Sequence, residues 1–367
     1  MGARRVVIKV GSSTLTNVEG TIDRRYVSDL VGHVSELTAG GCQVVLVSSG
    51  AIAAGVERLG LAERPTDMPG LQAAASVGQV ALIEAYAEGF AEHGVLAGQV
   101  LLTRNDTGHR ESFLHARDTF ERLLQLGAIP VVNENDTVAV DEIRFGDNDT
   151  LAALVATMVN ADLVVLLSDI EGLYDADPRL SEEATLLEQV DELTDDLMAA
   201  AGGTGSTIGS GGMATKIEAA NVLMKAGIPM VICDGRRPRV IVDAAEGRPV
   251  GTMFDGGEGT LGARKLWIAL GHKPAGTVVI DDGACRAVRE RHTSLLPAGV
   301  VGVDGCFKAG DAIALVDTAG AVVARGLAEM SHSDLERIKG LKSGEIATIL
   351  PNVAGKPVVH RDRLVVL

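Results

Sequence analysis

Aromatic residues are nearly missing from this chain, with Phe, Trp and Tyr together supplying 3% of its 367 residues. Apolar residues still make up 46%, so a large interior must be built from Val, Leu, Ile and Ala. Positive charge is also in deficit, with 33 Lys and Arg against 49 Asp and Glu and a net charge of −16. A surface of that sign disfavours nucleic acid and anionic membrane, because phosphates call for a basic patch. The deficit is uneven: the stretch from Lys273 to Leu367 is close to neutral. That asymmetry argues for two domains with different surfaces. It leaves an RNA contact by the tail open, although the tail is short of aromatics and nothing in it supports one.

Cysteine is scarce, and Cys42, Cys233, Cys285 and Cys306 form no CxxC pair or close metal-ligand set. They read as small core residues in a reducing compartment. No apolar run approaches the ~18 residues of a membrane span. The VVIKV run after Arg4 and Arg5 is too short for a signal peptide and carries a lysine. A soluble, cytoplasmic protein is expected. The eight histidines form no HExxH-type pair. No GxSxG elbow is present, which speaks against a serine hydrolase. No GxGxxG follows the first strand, which speaks against a nicotinamide dehydrogenase, and the GxxxxGK[ST] loop is absent too.

What the chain does have is a repeated alternation. VVIKV (6–10), VVLVSS (44–49), IPVVNEN (129–135), LVVLLSD (163–169) and IPMVICD (228–234) read as buried strands. Between them, 23–38, 70–92, 111–125, 150–160 and 214–226 carry helical periodicity. This predicts an α/β fold, a mostly parallel sheet with helices on both faces, as a three-layer αβα sandwich. Ligands bind such sheets at the carboxyl ends of the strands, and the polar clusters SSG, NEND and SD fall there. After a glycine-rich stretch near Met253–Lys265 the pattern changes to short strands punctuated by Gly, Asp and Pro, with one helical stretch at 333–340. Segments such as GTVVIDDGACRAV read as strands of a small β-rich, barrel-like domain. The expected division is 1–258, a linker at 259–275, and 276–367.

Several segments can carry chemistry. Lys9 stands inside an apolar strand just before Gly11, Ser12 and Ser13. Burying it is unfavourable unless it meets an anion, so it is expected to reach a phosphate; a solvent-facing edge lysine is the alternative. In VSSGAIAAG (47–55), Ser48, Ser49 and Gly50 precede a helix whose free N–H groups suit a carboxylate or phosphate, or simply a capping serine. In NENDTVAVDEIRFGDNDTLAALVA (133–156), Asn133, Glu134, Asn135, Asp136, Asp141, Glu142, Asp147, Asn148 and Asp149 crowd between a strand and a helix. Such a crowd suits an ammonium group or Mg²⁺, whereas a solvated acidic loop is the plainer reading. The glycine-rich stretch 201–212 runs through Ser210, Gly211 and Gly212 into Met213, Ala214, Thr215 and Lys216 at a helix start. Glycines let backbone amides approach phosphate oxygens there, beside a lysine. Ser168 and Asp169 begin a further loop after a strand.

Taken together, IKVGSSTLT, VVLVSSGAIAAG, QVLLTRND, FLHARDT, PVVNENDTVA, FGDNDTLAALVA, LLSDIEGLYDADPR and GSGGMATKIEAA, in that order, resemble the amino acid kinase family. The tail resembles the PUA domain that some of its members carry, and this points to the branch acting on free L-glutamate. The resemblance implies ATP-dependent phosphorylation of the glutamate side-chain carboxylate, with Mg²⁺ as cofactor and metal ligands left open. It implies that Lys9 and Lys216 bind ATP phosphates and that Asp149 orients both lysines. Ser49, Gly50, Asn133, Asp136 and Asn148 would hold glutamate. Gly11, Ser168, Asp169 and Ser210 through Lys216 would contact nucleotide. The family more often has Thr where Ser168 and Ser210 stand, and either residue retains a hydroxyl. Feedback inhibition by proline and a homo-oligomer (dimer or tetramer) are also implied.

Overall fold

The computed structural model describes the chain except residues 1, 3, 18–19, 104–109, 139–147, 177, 179–180, 182, 195–196, 198–211, 258–273 and 367. Two compact units form, one from Met1–Thr103 with Leu114–Thr260 and the other mainly from Leu261–Leu367. The linker expected at 259–275 lies almost wholly outside the described residues.

In the first unit the runs rich in Val, Leu and Ile form the middle of a sheet. Strand β1 (Arg5–Val10) is buried from Val6 onward, and β2 (Gln43–Ser48) and β5 (Leu163–Ser168) flank it in parallel. Strands β3 (Leu96–Leu102) and β4 (Ala128–Glu134) extend the sheet on one side. On the other side β7 (Met230–Asp234) runs parallel to β5. Strand β8 (Thr252–Phe254) returns antiparallel to β7, and the two-residue β6 (Gln189–Val190) closes that edge. The order is β3-β4-β2-β1-β5-β7-β8-β6. The parallel core matches the expected α/β class, with one antiparallel pair added.

Alternation along β1 sorts the two faces of the sheet. Val6, Ile8 and Val10 pack with Val27, Leu30, Val31 and Val34 of α2 (Arg24–Ala39) and with Leu82, Tyr86 and Phe90 of α4 (Met68–Glu92). Val7 and Lys9 point the other way, toward α6 (Asn148–Val159). Every residue of α6 is buried, as befits a helix that is apolar nearly all round. Helix α7 (Met213–Ala226) packs against α6. The other described helices here are α1 (Ser12–Leu15), α3 (Ala51–Arg58), α5 (Arg110–Gln125, in this unit from Leu114 onward) and α8 (Val240–Ala245).

Helices α3 and α4 meet through glycine. A Cβ on Gly78 would lie 1.7 Å from the Ala51 carbonyl oxygen, and one on Gly55 would lie 1.8 Å from that of Ala74. Only residues without side chains permit that approach. It sets α4 against the first turn of α3, at the edge where the strands end.

All five expected strands and all five expected helices form. Strand β3 was not among them: LAGQVLL carries Gly98 and Gln99 in its middle and lies half-exposed at the sheet edge, so no continuous apolar run marks it.

The second unit is a five-stranded sheet of β9 (Gly276–Ile280), β10 (Val300–Gly305), β11 (Ala312–Val316), β12 (Val322–Ala328) and β13 (Val359–Val366) in the order β10-β9-β11-β12-β13. Its core includes Val278, Ile280, Phe307, Ile313, Leu315, Leu335 and Val358. The β-rich character matches expectation, but among the described residues there are three helices rather than one: α9 (Asp282–Arg291), α10 (His332–Ile338) and α11 (Ser343–Ile349). The segment GTVVIDDGACRAV is therefore strand only to Ile280. There the Asp281 carboxylate accepts from the Ala284 N–H at 2.7 Å and starts a helix. The cysteine reading also needs correction. All four are free, yet only Cys233 and Cys285 are buried; Cys42 is half-buried and Cys306 is exposed.

Candidate active site

Because β1, β2, β4, β5 and β7 are mutually parallel, they end at one edge and deliver their last residues to one place. Val10 is level with Ser48 and, across β1, with Leu167, while Ser168 is level with Asp234. The Ser49 N–H donates to the Val10 carbonyl at 3.2 Å, joining the loop ends above β1 and β2. The turn from β2 into α3 passes through Gly50 at φ +93°, in the left-handed region, where a Cβ would also lie 2.8 Å from Leu15 Cδ2. A side chain at Gly50 would therefore close the turn that presents Ser49.

At the centre of this edge is a buried ion triad. Asp149, in the first turn of α6, is 0% exposed, and Lys9 and Lys216 are 4% and 5% exposed. Lys9 Nζ is 2.5 Å from Asp149 Oδ1 and Lys216 Nζ is 3.1 Å from Oδ2. The Thr215 hydroxyl is also 3.1 Å from Oδ2. Burial alone would raise the Asp149 pKa, but the two ammonium groups and their hydrogen bonds outweigh it and hold the carboxyl well below the usual range. Two ammonium groups and one carboxylate, all buried, make a setting that favours a further anion.

Beside the triad lies an open cleft of about 520 Å³ lined by Ser12, Ser49, Gly50, Arg64, Glu134 and Asp136, among others. Asn133 and Asn148 line it too. Asn148 Nδ2 donates to the Ser48 carbonyl at 2.7 Å and to Asn133 Oδ1 at 2.9 Å, and stands 3.1 Å from Ser49 Oγ. Asn148 and Asp149 are adjacent in α6, so one helical turn serves both cleft and triad. Beneath it, Ser48 Oγ lies 2.9 Å from the hydroxyl of the fully buried Tyr86. That burial pushes the Tyr86 phenol pKa upward, against the Ser48 hydrogen bond, so this support stays uncharged.

The structure thus brings Lys9, Asp149, Thr215 and Lys216 together at the triad. It gathers Ser49, Gly50, Asn133, Asp136 and Asn148 around the cleft. Gly11 caps α1 directly after β1, and a Cβ there would lie 3.6 Å from Lys9 Nζ. Gly212, Met213 and Ala214 form the N-terminal end of α7, next to Lys216. Ser168 and Asp169 stand at the end of β5, where Ser168 Oγ donates to Asp169 Oδ1 at 3.2 Å. Ser210 and Gly211 lie outside the described residues. Glu134, one of the crowded acids, is 8% exposed on the cleft wall, whereas sequence reasoning did not single out Arg64 or Ser12 as cleft residues. Arg64 is an isolated cation in the loop between α3 and α4, and nothing in its local pattern marks it. Among the described residues no group of three His, Cys, Asp or Glu side chains could hold a metal ion. None of the described helices is long and apolar enough to cross a membrane.

Comparison with known proteins agrees with this geometry. Residues 4–234 match the Amino acid kinase family and residues 276–350 match the PUA domain. Glutamate 5-kinase of Geobacter sulfurreducens is 46% identical over 364 residues, covering 99% of this chain and 98% of the relative. Glutamate 5-kinase of Myxococcus xanthus is 49% identical over 365 residues, covering 100% and 97%. Glutamate 5-kinase of Moorella thermoacetica is 48% identical over the same length and coverage. Matched over most of its length to that family and nearly end to end to these relatives, the chain belongs to the amino acid kinase family and carries a C-terminal PUA domain.

Proposed function

We propose that this protein transfers the γ-phosphoryl group of ATP to the side-chain carboxylate of L-glutamate, giving L-glutamyl 5-phosphate and ADP, the first step of proline biosynthesis. The observation that carries the reading is the buried Lys9–Asp149–Lys216 triad beside a cleft of amides, hydroxyls and carboxylates. The glutamate side chain has a pKa of about 4.3 and is an ionised nucleophile at neutral pH, so no general base is needed. A carboxylate oxygen forms a bond to the γ-phosphorus while the bond from that phosphorus to the β–γ bridging oxygen breaks and its electron pair leaves with ADP. The chain contributes alignment and positive charge. Lys9 and Lys216 meet the negative charge on the transferred group, and Asp149 holds their ammonium groups in place. Gly11, Ser168, Asp169 and the start of α7 form the nucleotide side.

On the acceptor side the charges of glutamate find complements. Asp136 and Glu134 suit its ammonium, and the triad lies toward its reacting carboxylate. Arg64 suits the α-carboxylate: it lines the cleft and makes no hydrogen bond or ion pair among the described residues. Both Asp149 oxygens already face lysines, so Asp149 is not available to ligate Mg²⁺. Mg²⁺ bound with ATP would supply neutralisation of the phosphate charge. Residues 1–258 form the catalytic part in this reading, with a PUA-like part at 276–367, in a cytoplasmic protein. A homo-oligomer and inhibition by proline belong to the same proposal. The edge position of strand β3, with Leu96 70% and Leu101 37% exposed, supports self-association.

The test is hydroxylamine trapping. Glutamyl phosphate reacts to a hydroxamate, so ATP-dependent hydroxamate should form with L-glutamate far faster than with aspartate or N-acetylglutamate. No hydroxamate with glutamate, or faster reaction with another acceptor, overturns the assignment.

A further inference from the structure

The amide side chains around the cleft have a fixed polarity, and it can be traced outward from the main chain. Asn148 Nδ2 stands 2.7 Å from the Ser48 carbonyl, which only accepts, so the NH₂ group must face it. Asn133 Oδ1 meets two donors, Asn148 Nδ2 and the Glu134 main-chain N–H, each at 2.9 Å. Its Nδ2 is thereby turned away from the cleft, where Gln79 Oε1 accepts from it at 2.7 Å. Gln79 follows Gly78, whose missing side chain lets α4 rest on the first turn of α3. Its own Nε2 is buried without a partner among the described residues, at the wall of a second cleft of about 560 Å³.

We propose that Gln79 is a positioning residue for acceptor binding, holding the Asn133–Asn148 amide pair in the one orientation that offers an oxygen to the substrate ammonium. This rests on the phosphotransfer reading above. The two protons of Asn148 Nδ2 go to Ser48 O and Asn133 Oδ1, which leaves Oδ1 of Asn148 as that amide's contribution to a ligand. Ser49 Oγ, farthest of the three at 3.1 Å, keeps its own proton for a carboxylate. Rotating the Asn133 amide would set its NH₂ against the Asn148 NH₂ and the Glu134 N–H. The Gln79 oxygen opposes that rotation from outside the cleft.

The experiment compares Gln79→Met, which removes the acceptor at similar volume, with Gln79→Glu, which keeps an oxygen facing Asn133. Steady-state kinetics on the full chain, with hydroxamate trapping, gives kcat and both KM values. Gln79→Met should raise the glutamate KM about tenfold, with kcat and the ATP KM within about twofold of wild type. Gln79→Glu should restore the glutamate KM to within about threefold of wild type. Because both residues act through one amide, Gln79→Met should add little to Asn133→Ala. An unchanged glutamate KM in Gln79→Met, equal impairment in Gln79→Glu, or full additivity with Asn133→Ala overturns the proposal. So does a matching rise in the ATP KM together with a lowered Tm, which would make Gln79 a packing residue only. Wild-type protein that yields no hydroxamate would overturn the reaction assignment itself, which separates the two failures.

Discussion

Lys9 and Lys216 share one carboxylate: the first lies 2.5 Å from Asp149 Oδ1 and the second 3.1 Å from Oδ2. Both lysines are buried, and Asp149 is an ion-pair partner of each. Replacing Asp149 by Asn removes that shared carboxylate from two buried ammonium groups. Loss of one partner of a buried ionic group typically destabilises by about 3–5 kcal/mol. Asp149→Asn should show a loss of that order in urea unfolding. ATP should offset part of it, because its phosphates supply the missing anion, so the rise in Tm on adding nucleotide should be larger in the variant than in wild type. An equal or smaller rise would count against the triad as the phosphate site.

The same carboxylate sets an acid limb. Burial opposes ionisation of Asp149, but the lysines prevail and its folded-state pKa lies below the usual carboxylate value. A depressed folded pKa contributes stability that is complete above the unfolded value, about 4, and is lost as pH falls below it toward the folded value. Wild-type protein should thus lose stability more steeply below about pH 4 than Asp149→Asn does. Parallel unfolding curves for the two proteins across that window would exclude the linkage.

In the proposed reaction Lys216 meets the negative charge that gathers as the phosphoryl group moves, and it is not among the residues lining the cleft. Lys216→Ala should lower kcat about a hundredfold to a thousandfold, as removal of a charge-stabilising donor commonly does, with the glutamate KM changed by less than about threefold. Equal losses in both parameters would place Lys216 in acceptor binding instead.

How much of this was legible beforehand depends on the kind of constraint. Lys9 stood out because a lysine within a buried parallel strand needs an anion, and strand ends rich in Ser, Asn and Asp pointed to the ligand edge. Asp149 and Lys216 lie far apart in sequence, and only the family resemblance, not spacing, joined them. Arg64 and Gln79 left no trace, the first as one charge in a polar loop, the second as one amide in a long helix. The roles proposed for them come from which neighbours packing supplies, and no local pattern encodes that. In the second unit the Asp281 cap was present in the sequence, but the preceding β-branched run masked it.

Gly78 makes the α3–α4 packing testable. Its Cβ would fall 1.7 Å from the Ala51 carbonyl oxygen, so Gly78→Ala must push the two helices apart. Overpacking of this kind costs about 1–3 kcal/mol. The displacement also moves Ala51, which lines the cleft beside the triad, and Gln79, which accepts from Asn133 Nδ2. Gly78→Ala should therefore raise the glutamate KM with little change in the ATP KM, beside a lowered Tm. A stable variant with wild-type kinetics would show that the close approach is not required.

Arg64 can be tested by removing its proposed partner from the substrate as well as the residue from the protein. 4-Aminobutanoate is glutamate without the α-carboxylate, and it retains both the ammonium and the reacting carboxylate. A partly exposed guanidinium–carboxylate pair contributes on the order of 1.4 kcal/mol, or tenfold in binding. Arg64→Ala should therefore raise the glutamate KM about tenfold while leaving the kcat/KM for 4-aminobutanoate, already low, within about twofold of wild type. The cycle isolates the contact, because a general disturbance of the α3–α4 loop would lower both substrates alike. Arg64→Lys should recover only part of the loss, since an ammonium cannot form the paired hydrogen bonds of a guanidinium. Should glutamate and 4-aminobutanoate fall together, the α-carboxylate must be held by other groups, with the Ser49 hydroxyl and the N-terminal amides of α3 the nearest candidates.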